Sequence, residues 1–189
     1  MSVFNSQNAP MLATYSRMLA AIPIIILYYM GGTWAEWPIV VVFMVASWTD
    51  WLDGYLARKF QTESDMGKFM DPIADKLLVL TCLILLVHAR KLDPILVVLL
   101  VGRDIYIGGI RAVAAKENVV IAAKAFGKWK TALQMFSIPC LFIFKPELFF
   151  NLPIDLIGVY GLWVSVVLSG FSGIQYTMGY YKGSRSFTQ

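Results

Sequence analysis

Histidine, cysteine and charge are all scarce in this chain of 189 residues. His88 is the only histidine, and its place at the far end of an apolar run argues against a catalytic role. Cys82 and Cys140 lie inside apolar runs, so we expect them to pack rather than to form a disulfide. Only 15% of the residues are charged, which leaves few segments that can be solvated loops. Nothing in the sequence indicates a nucleic-acid partner, an internal repeat or a low-complexity stretch.

Apolar residues dominate the chain instead. They make up 58% of it and give a mean hydropathy of +0.65, which indicates an integral membrane protein. Six runs each come close to the roughly 20 residues that a helix needs to cross a bilayer. We therefore predict an all-α fold, a single membrane domain over residues 1–189 with six transmembrane helices and short connections. No cleavage pattern follows the first run, so we expect no cleaved signal peptide. The runs are 10–31, 36–57, 70–89, 94–115, 128–146 and 153–178.

The placement of lysine and arginine predicts how the helices are oriented. With the N-terminus in the cytoplasm, Arg90, Lys91 and Lys145 fall on the outer side and Arg103 falls mid-helix. We therefore expect a multi-pass protein with both termini in the cytoplasm and a polar cavity open to the cytoplasmic face. Twelve basic residues then lie at inner ends or inner loops: Arg17, Arg58, Lys59, Lys68, Lys76, Arg111, Lys116, Lys124, Lys128, Lys130, Lys182 and Arg185.

Four aspartates at membrane depth are the most informative feature. Each would be costly against lipid, so together they must face a cavity, pair with cations or bind metal. Asp50 and Asp53 share a narrow arc of one helix, and Asp71 and Asp75 lie one turn apart on another. If the polar turn Lys59–Met66 joins two antiparallel helices, the four carboxylates point at one another. Such a site suits a hard divalent cation, most naturally Mg²⁺ or Mn²⁺.

Small residues stand about one helical turn from these acids. Gly54 and Ala57 follow the first pair, and Gly67 precedes the second. Larger side chains there would fill the space above the metals, whereas small ones let a bulky ligand lie close to the backbone. Small-residue helix packing, common in membrane bundles, is the alternative. The four nearby acids and Arg58 favour the ligand site.

A basic set lies further along the chain. Arg103 and Arg111 are two turns apart on roughly the same side of the fourth helix, and Lys124 and Lys128 share a face of the next. An arginine half-way along an apolar helix needs an anion or a buried partner. Asp104 follows it at once but is expected to point about 100° away. We therefore expect Arg103, Arg111 and Lys128 to hold an anionic substrate group, since guanidinium binds phosphate bidentately.

The acidic segment completes the pattern D-x-x-D-G-x-x-A-R-x(8)-G-x-x-x-D-x-x-x-D. It resembles the signature of the CDP-alcohol phosphatidyltransferases, without departure at any of eight fixed positions across 26 residues. The opening Asn8–Arg17 and the stretch Gly127–Met135 are similar to the branch of this family that makes phosphatidylglycerophosphate. Thr14 and Arg17 share a face of the first helix that would reach the phosphate-binding part of the cavity. The eight positions are Asp50, Asp53, Gly54, Ala57, Arg58, Gly67, Asp71 and Asp75.

The resemblance implies a helical bundle of the CDP-alcohol phosphatidyltransferase type, in a homodimer of the bacterial inner membrane. An acceptor hydroxyl would attack the β-phosphorus of CDP-diacylglycerol, and CMP would leave. Two Mg²⁺ or Mn²⁺ ions would be held by Asp50, Asp53 and Asp71, with Asp75 also near them and acting as the general base. The residues implied at the CDP-diacylglycerol are Asp50, Asp53, Gly54, Ala57, Arg58 and Gly67.

The acceptor is less firmly indicated. The basic set suits the phosphate dianion of sn-glycerol 3-phosphate, although inositol phosphate or phosphatidylglycerol would also fit, and neutral inositol or serine would explain it less well. An ion-coupled transporter would place its site near the midplane of the membrane, between internal repeats, and this sequence shows no internal repeat. A purely structural subunit would leave the four acids without purpose. The residues predicted at the acceptor phosphate are Thr14, Arg17, Arg103, Arg111, Lys124 and Lys128.

Overall fold

The computed structural model describes residues 9–60, 65–117, 125–143 and 154–186, all of them helical apart from short turns. Within these segments the side chains of residues 9–17, 33, 50–60, 65–72, 75, 115, 125–126, 128 and 182–186 lie outside the description. The all-α prediction is confirmed for the described residues. Their helices are α1 Ala9–Gly31, α2 Glu36–Phe60, α3 Asp65–His88, α4 Pro94–Lys116, α5 Ala125–Phe142 and α6 Ile154–Ser186.

The helix bounds follow the predicted apolar runs closely, with differences at the polar ends. The helix α2 continues to Phe60 and α3 begins at Asp65, so both ends of the predicted turn Lys59–Met66 are helical. The helix α5 likewise begins at Ala125, three residues before its predicted start. A hydropathy pattern detects the apolar middle of a helix and misses the polar turns that extend it.

One end of the bundle is fixed by side-chain contacts around the α3–α4 connection. Lys91 Nζ lies 3.2 Å from Glu36 Oε1 at the start of α2 and donates to the carbonyl oxygen of Phe142 at 3.3 Å. Asp93 Oδ1 accepts a hydrogen bond of 2.8 Å from the backbone N–H of Ile95, which caps the start of α4. The start of α2, the end of α5 and the α3–α4 connection are therefore held together.

The helices α5 and α6 pack along each other at close range, while α1 packs against α2 and α3, and α4 packs against α6. At Gly158 an added Cβ would lie 2.8 Å from Leu141 Cγ and 3.1 Å from the carbonyl oxygen of Ser137. Glycine here lets the two backbones approach. The core is formed by buried apolar side chains that include Ile24, Phe43, Leu78, Leu86, Leu96, Ile138 and Leu162.

One helix in the described part of the chain is long and apolar enough to cross a membrane, with its span at Ile154–Tyr181. Shorter apolar stretches occupy Met18–Gly31, Glu36–Thr49 and Lys76–His88. The helices were predicted correctly, whereas six membrane crossings stay a prediction. Charged residues inside the second, third and fourth apolar runs lower their average hydropathy below that of α6.

Candidate active site

The acidic motif falls on two consecutive helices. Asp50 and Asp53 lie on α2, and Asp71 and Asp75 lie on α3, each pair about one turn apart. Their side chains lie outside the described residues, so the mutual approach of the four carboxylates stays a prediction. The side chains that are described contain no group of three or more metal-ligating residues. The other motif residues, also without described side chains, are Gly54, Ala57 and Arg58 on α2 and Gly67 on α3.

The described basic residues gather around one carboxylate. Asp104 Oδ1 accepts a hydrogen bond of 2.9 Å from Arg103 Nη1 and a second one from Lys130 Nζ. Lys76 Nζ donates to the backbone carbonyl oxygen of Asp104 at 3.1 Å. We call these four residues the Asp104 cluster. It joins α3, α4 and α5, and its three cations exceed its one anion by two charges.

Arg103 is held from the other side by α6. Its Nε donates to the carbonyl oxygen of Ser169 at 3.1 Å, and its Nη2 donates to Ser172 Oγ at 2.8 Å. The prediction that Asp104 points away from Arg103 is wrong, because both side chains are long enough to bend toward each other across one peptide unit. Arg103 thus has buried protein partners, and its position alone does not require a bound anion.

Arg111 also contacts α6, which confirms that the two arginines lie on the same side of α4. Its Nη2 donates to Tyr176 Oη at 2.6 Å, and its Cζ lies 4.9 Å from the centroid of that ring. Tyr176 is buried, whereas Arg111 is exposed. The ring therefore supports the guanidinium by a cation–π contact and a hydrogen bond while leaving it accessible.

Lys130 is the residue that sequence reasoning missed. The basic pattern favoured Lys128, yet Lys130 is only 3% exposed and binds Asp104. A signal was available: Asp104 is the only acid in the predicted apolar run 94–115, and a buried lysine requires such a partner. Among the other predicted acceptor residues, Lys124 lies outside the described residues, and so do the side chains of Thr14, Arg17 and Lys128.

The last helix, α6, supplies a polar face to the site. Sequence analysis had assigned this helix no functional role. Ser165, Ser169 and Ser172 are buried and recur at spacings of four and three residues, which places them on one side of α6. Ser165 Oγ donates to the carbonyl oxygen of Lys130 at 3.3 Å. The spacing of the three serines continues to Tyr176, four residues after Ser172. It is visible in the sequence as a polar stripe on an otherwise apolar helix.

Lys76 connects the acidic motif to the basic residues. It follows Asp75 directly in α3 and reaches α4 at Asp104. Its ammonium group also lies close to Gly108, where an added Cβ would be 3.5 Å from Lys76 Nζ, an ordinary contact distance. The Asp104 cluster is therefore adjacent to the α3 segment that carries the second pair of aspartates.

Comparison with known proteins adds an independent finding. The sequence model of the family described as CDP-alcohol phosphatidyltransferase matches residues 7–171. A Rickettsia bellii protein named CDP-diacylglycerol–glycerol-3-phosphate 3-phosphatidyltransferase is 36% identical over 90% of this chain and 93% of its own length. A Bacillus subtilis protein of the same name is 39% identical over 72% of this chain and 69% of its own. A cardiolipin synthase (CMP-forming) of Oryza sativa is 38% identical over 70% of this chain and 44% of its own.

Proposed function

The chain belongs to the CDP-alcohol phosphatidyltransferase family, and from that premise we propose that it transfers the phosphatidyl group of CDP-diacylglycerol to sn-glycerol 3-phosphate. The products are phosphatidylglycerophosphate and CMP. The family expectation drawn from the eight motif positions is confirmed. Relatives from two bacterial genera, similar over most of this chain, carry the name of this reaction, which supports the choice of acceptor.

The acidic motif fits the metal that the reaction needs. Its donor set consists of carboxylate oxygens alone, which suits Mg²⁺ or Mn²⁺. Asp50, Asp53, Asp71 and Asp75 would hold two ions, which when bound neutralise negative charge on the pyrophosphate. Asp75 would accept the proton of the acceptor hydroxyl. The small residues Gly54, Ala57 and Gly67, together with Arg58, would leave room for the cytidine nucleotide and border it.

The observation that carries the choice of acceptor is the excess positive charge of the Asp104 cluster. A guanidinium has five N–H groups, and three of those of Arg103 are used by described partners, which leaves one on each Nη nitrogen. Lys130 likewise uses one of its three. Arg111 adds an accessible guanidinium on the same side of α4. These donors suit a phosphate dianion better than a neutral or zwitterionic acceptor, and Thr14, Arg17, Lys124 and Lys128 would complete the pocket.

We further propose a bundle of six membrane-crossing helices with both termini in the cytoplasm, assembled as a homodimer in a bacterial inner membrane. Large apolar side chains face outward on several helices, as a lipid-embedded surface requires. The positive-inside distribution supports the orientation. Exposed apolar residues include Ile22 and Met30 on α1, Val45 on α2, Ile84 on α3, Val98 and Ile105 on α4, Phe136 on α5 and Val167 and Phe171 on α6.

Transfer to phosphatidylglycerol, which would make cardiolipin, is the second candidate function, since the Oryza sativa relative is named a cardiolipin synthase. One assay separates the two. Purified protein is given CDP-diacylglycerol, Mg²⁺ or Mn²⁺, and one acceptor at a time, and the lipid product is identified by mass spectrometry. We expect phosphatidylglycerophosphate from sn-glycerol 3-phosphate and no cardiolipin from phosphatidylglycerol. Cardiolipin as the main product would overturn the proposal.

A further inference from the structure

We propose that Asp104 is a positioning residue for the acceptor, which holds Arg103 of α4 and Lys130 of α5 where both can contact one phosphate. The proposal rests on the proposed function and adds a role that the acidic motif does not contain. A single oxygen, Asp104 Oδ1, accepts hydrogen bonds from Arg103 Nη1 and from Lys130 Nζ. Two cations on different helices are thereby brought to one atom.

The charge balance shows why an acid is needed at this position. Arg103 and Lys130 repel each other when no anion lies between them. Lys130 is almost fully buried, and a buried ammonium without a partner is strongly destabilised. Among the described acidic side chains, Asp104 is the one that contacts either cation. Its loss would separate the two cations or turn them toward other partners.

The remaining contacts fix the direction of Asp104 and of Arg103. Lys76 on α3 binds the backbone carbonyl oxygen of Asp104, which ties this turn of α4 to α3 and leaves the carboxylate to its two cations. The Nε of Arg103 is bound to Ser169 on α6, which sets the plane of the guanidinium. Both cations keep further N–H groups that no described residue uses, which is what recognition of a phosphate by a prearranged pair requires.

Asp104→Asn is the direct test. The amide keeps the shape and one oxygen acceptor but removes the charge. We expect the KM for sn-glycerol 3-phosphate to rise about tenfold or more, the usual effect of weakening hydrogen bonds between charged groups. The KM for CDP-diacylglycerol should change less than about twofold, because its contacts lie in the acidic motif. Asp104→Glu keeps the charge and should recover most of the acceptor affinity.

Two further variants separate positioning from simple structural support. Tyr106→Phe removes a 3.1 Å hydrogen bond between α4 and Thr177 of α6 without touching the Asp104 cluster, and we expect both KM values unchanged. In the double variant Asp104→Asn with Lys130→Met, the rise in acceptor KM should be smaller than the product of the two single effects. Residues that act as a unit show this non-additivity.

The outcomes are decisive in either direction. An unchanged acceptor KM in Asp104→Asn, or an equal rise in both KM values, would overturn the positioning role, and so would independent effects in the double variant. If Asp104→Asn does not assemble, additive effects of Lys130→Met and Arg103→Lys on the acceptor KM would overturn it as well. Wild-type protein that rejects sn-glycerol 3-phosphate would instead defeat the proposed function, and the acceptor it does use then serves for the Asp104 measurement.

Discussion

At the scale of single residues, the protein carries two kinds of ionised group in an apolar chain, which are the aspartates of the acidic motif and the charged residues of the Asp104 cluster. The four aspartates form a pattern whose spacing predicts a metal site, since residues three and four apart share a helix face. The pairing of Asp104 with Arg103 and Lys130 does not follow from spacing. It depends on side-chain length and on the packing of three helices, which no single helical pattern contains.

Asp71→Asn tests the acidic motif. The substitution removes one ligand charge while preserving side-chain volume, so we expect transfer to be lost at limiting Mg²⁺ while the protein still inserts and assembles. Asp155→Asn, the same change at an aspartate in the first turn of α6 and outside the motif, should leave the rate unchanged. The measurement compares the initial rates of CMP release of the two variants and the wild-type protein. The elution volume of each in detergent checks that it assembles. A normal rate in Asp71→Asn would refute the metal assignment.

Arg111→Ala tests the accessible guanidinium of the acceptor pocket. A lost charge-assisted contact costs roughly 1.5–3 kcal/mol, or about ten- to a hundredfold in the KM for sn-glycerol 3-phosphate. The KM for CDP-diacylglycerol should change little. Tyr176→Phe is the matched control, because it removes the 2.6 Å hydrogen bond but keeps the ring beneath the guanidinium, so its effect should be smaller. Equal damage to both substrates would mean that Arg111 organises the whole cavity.

At the scale of secondary structure, the six apolar runs predicted the helices, and the polar ends were the part that hydropathy could not locate. The contribution of α6 was missed because its serines are small and uncharged and leave the average hydropathy high. Buried hydroxyl groups on a helix gain their meaning from the neighbour they meet. Here the hydroxyl of Ser172 and the backbone carbonyl oxygen of Ser169 accept from Arg103, and the hydroxyl of Ser165 donates to the backbone of α5.

Gly158→Ala tests the close packing of α5 on α6. The added methyl group would collide with Leu141 and approach the backbone at Ser137, so we expect a loss of roughly 1–3 kcal/mol in the free energy of unfolding. Gly170→Ala, on the same helix with open space at its Cβ, should be neutral or slightly stabilising. Thermal unfolding in one detergent compares the two directly. Equal stability of both variants would show that the helices do not need glycine at this contact.

At the scale of the whole molecule, the distribution of lysine and arginine predicts the orientation in the membrane. The connection between α3 and α4, with Arg90 and Lys91, lies at the end of the bundle held by the Glu36 ion pair. The proposed topology puts this end outside and the acidic motif toward the cytoplasm. Reporter fusions test it: alkaline phosphatase should be active when inserted after Ala89 and inactive when joined after Gln189. The reverse pattern would invert the topology.

The central claim is that this family member adds a phosphatidyl group to an acceptor chosen by its phosphate dianion. The most direct test offers CDP-diacylglycerol and Mg²⁺ with three acceptors at equal concentration in one reaction: ¹³C-labelled sn-glycerol 3-phosphate, deuterated glycerol and unlabelled phosphatidylglycerol. Every lipid product is followed by mass spectrometry together with CMP. The account predicts labelled phosphatidylglycerophosphate as the dominant product, with one CMP released for each molecule formed. Phosphatidylglycerol made from free glycerol at a comparable rate, or cardiolipin as the main product, would contradict it.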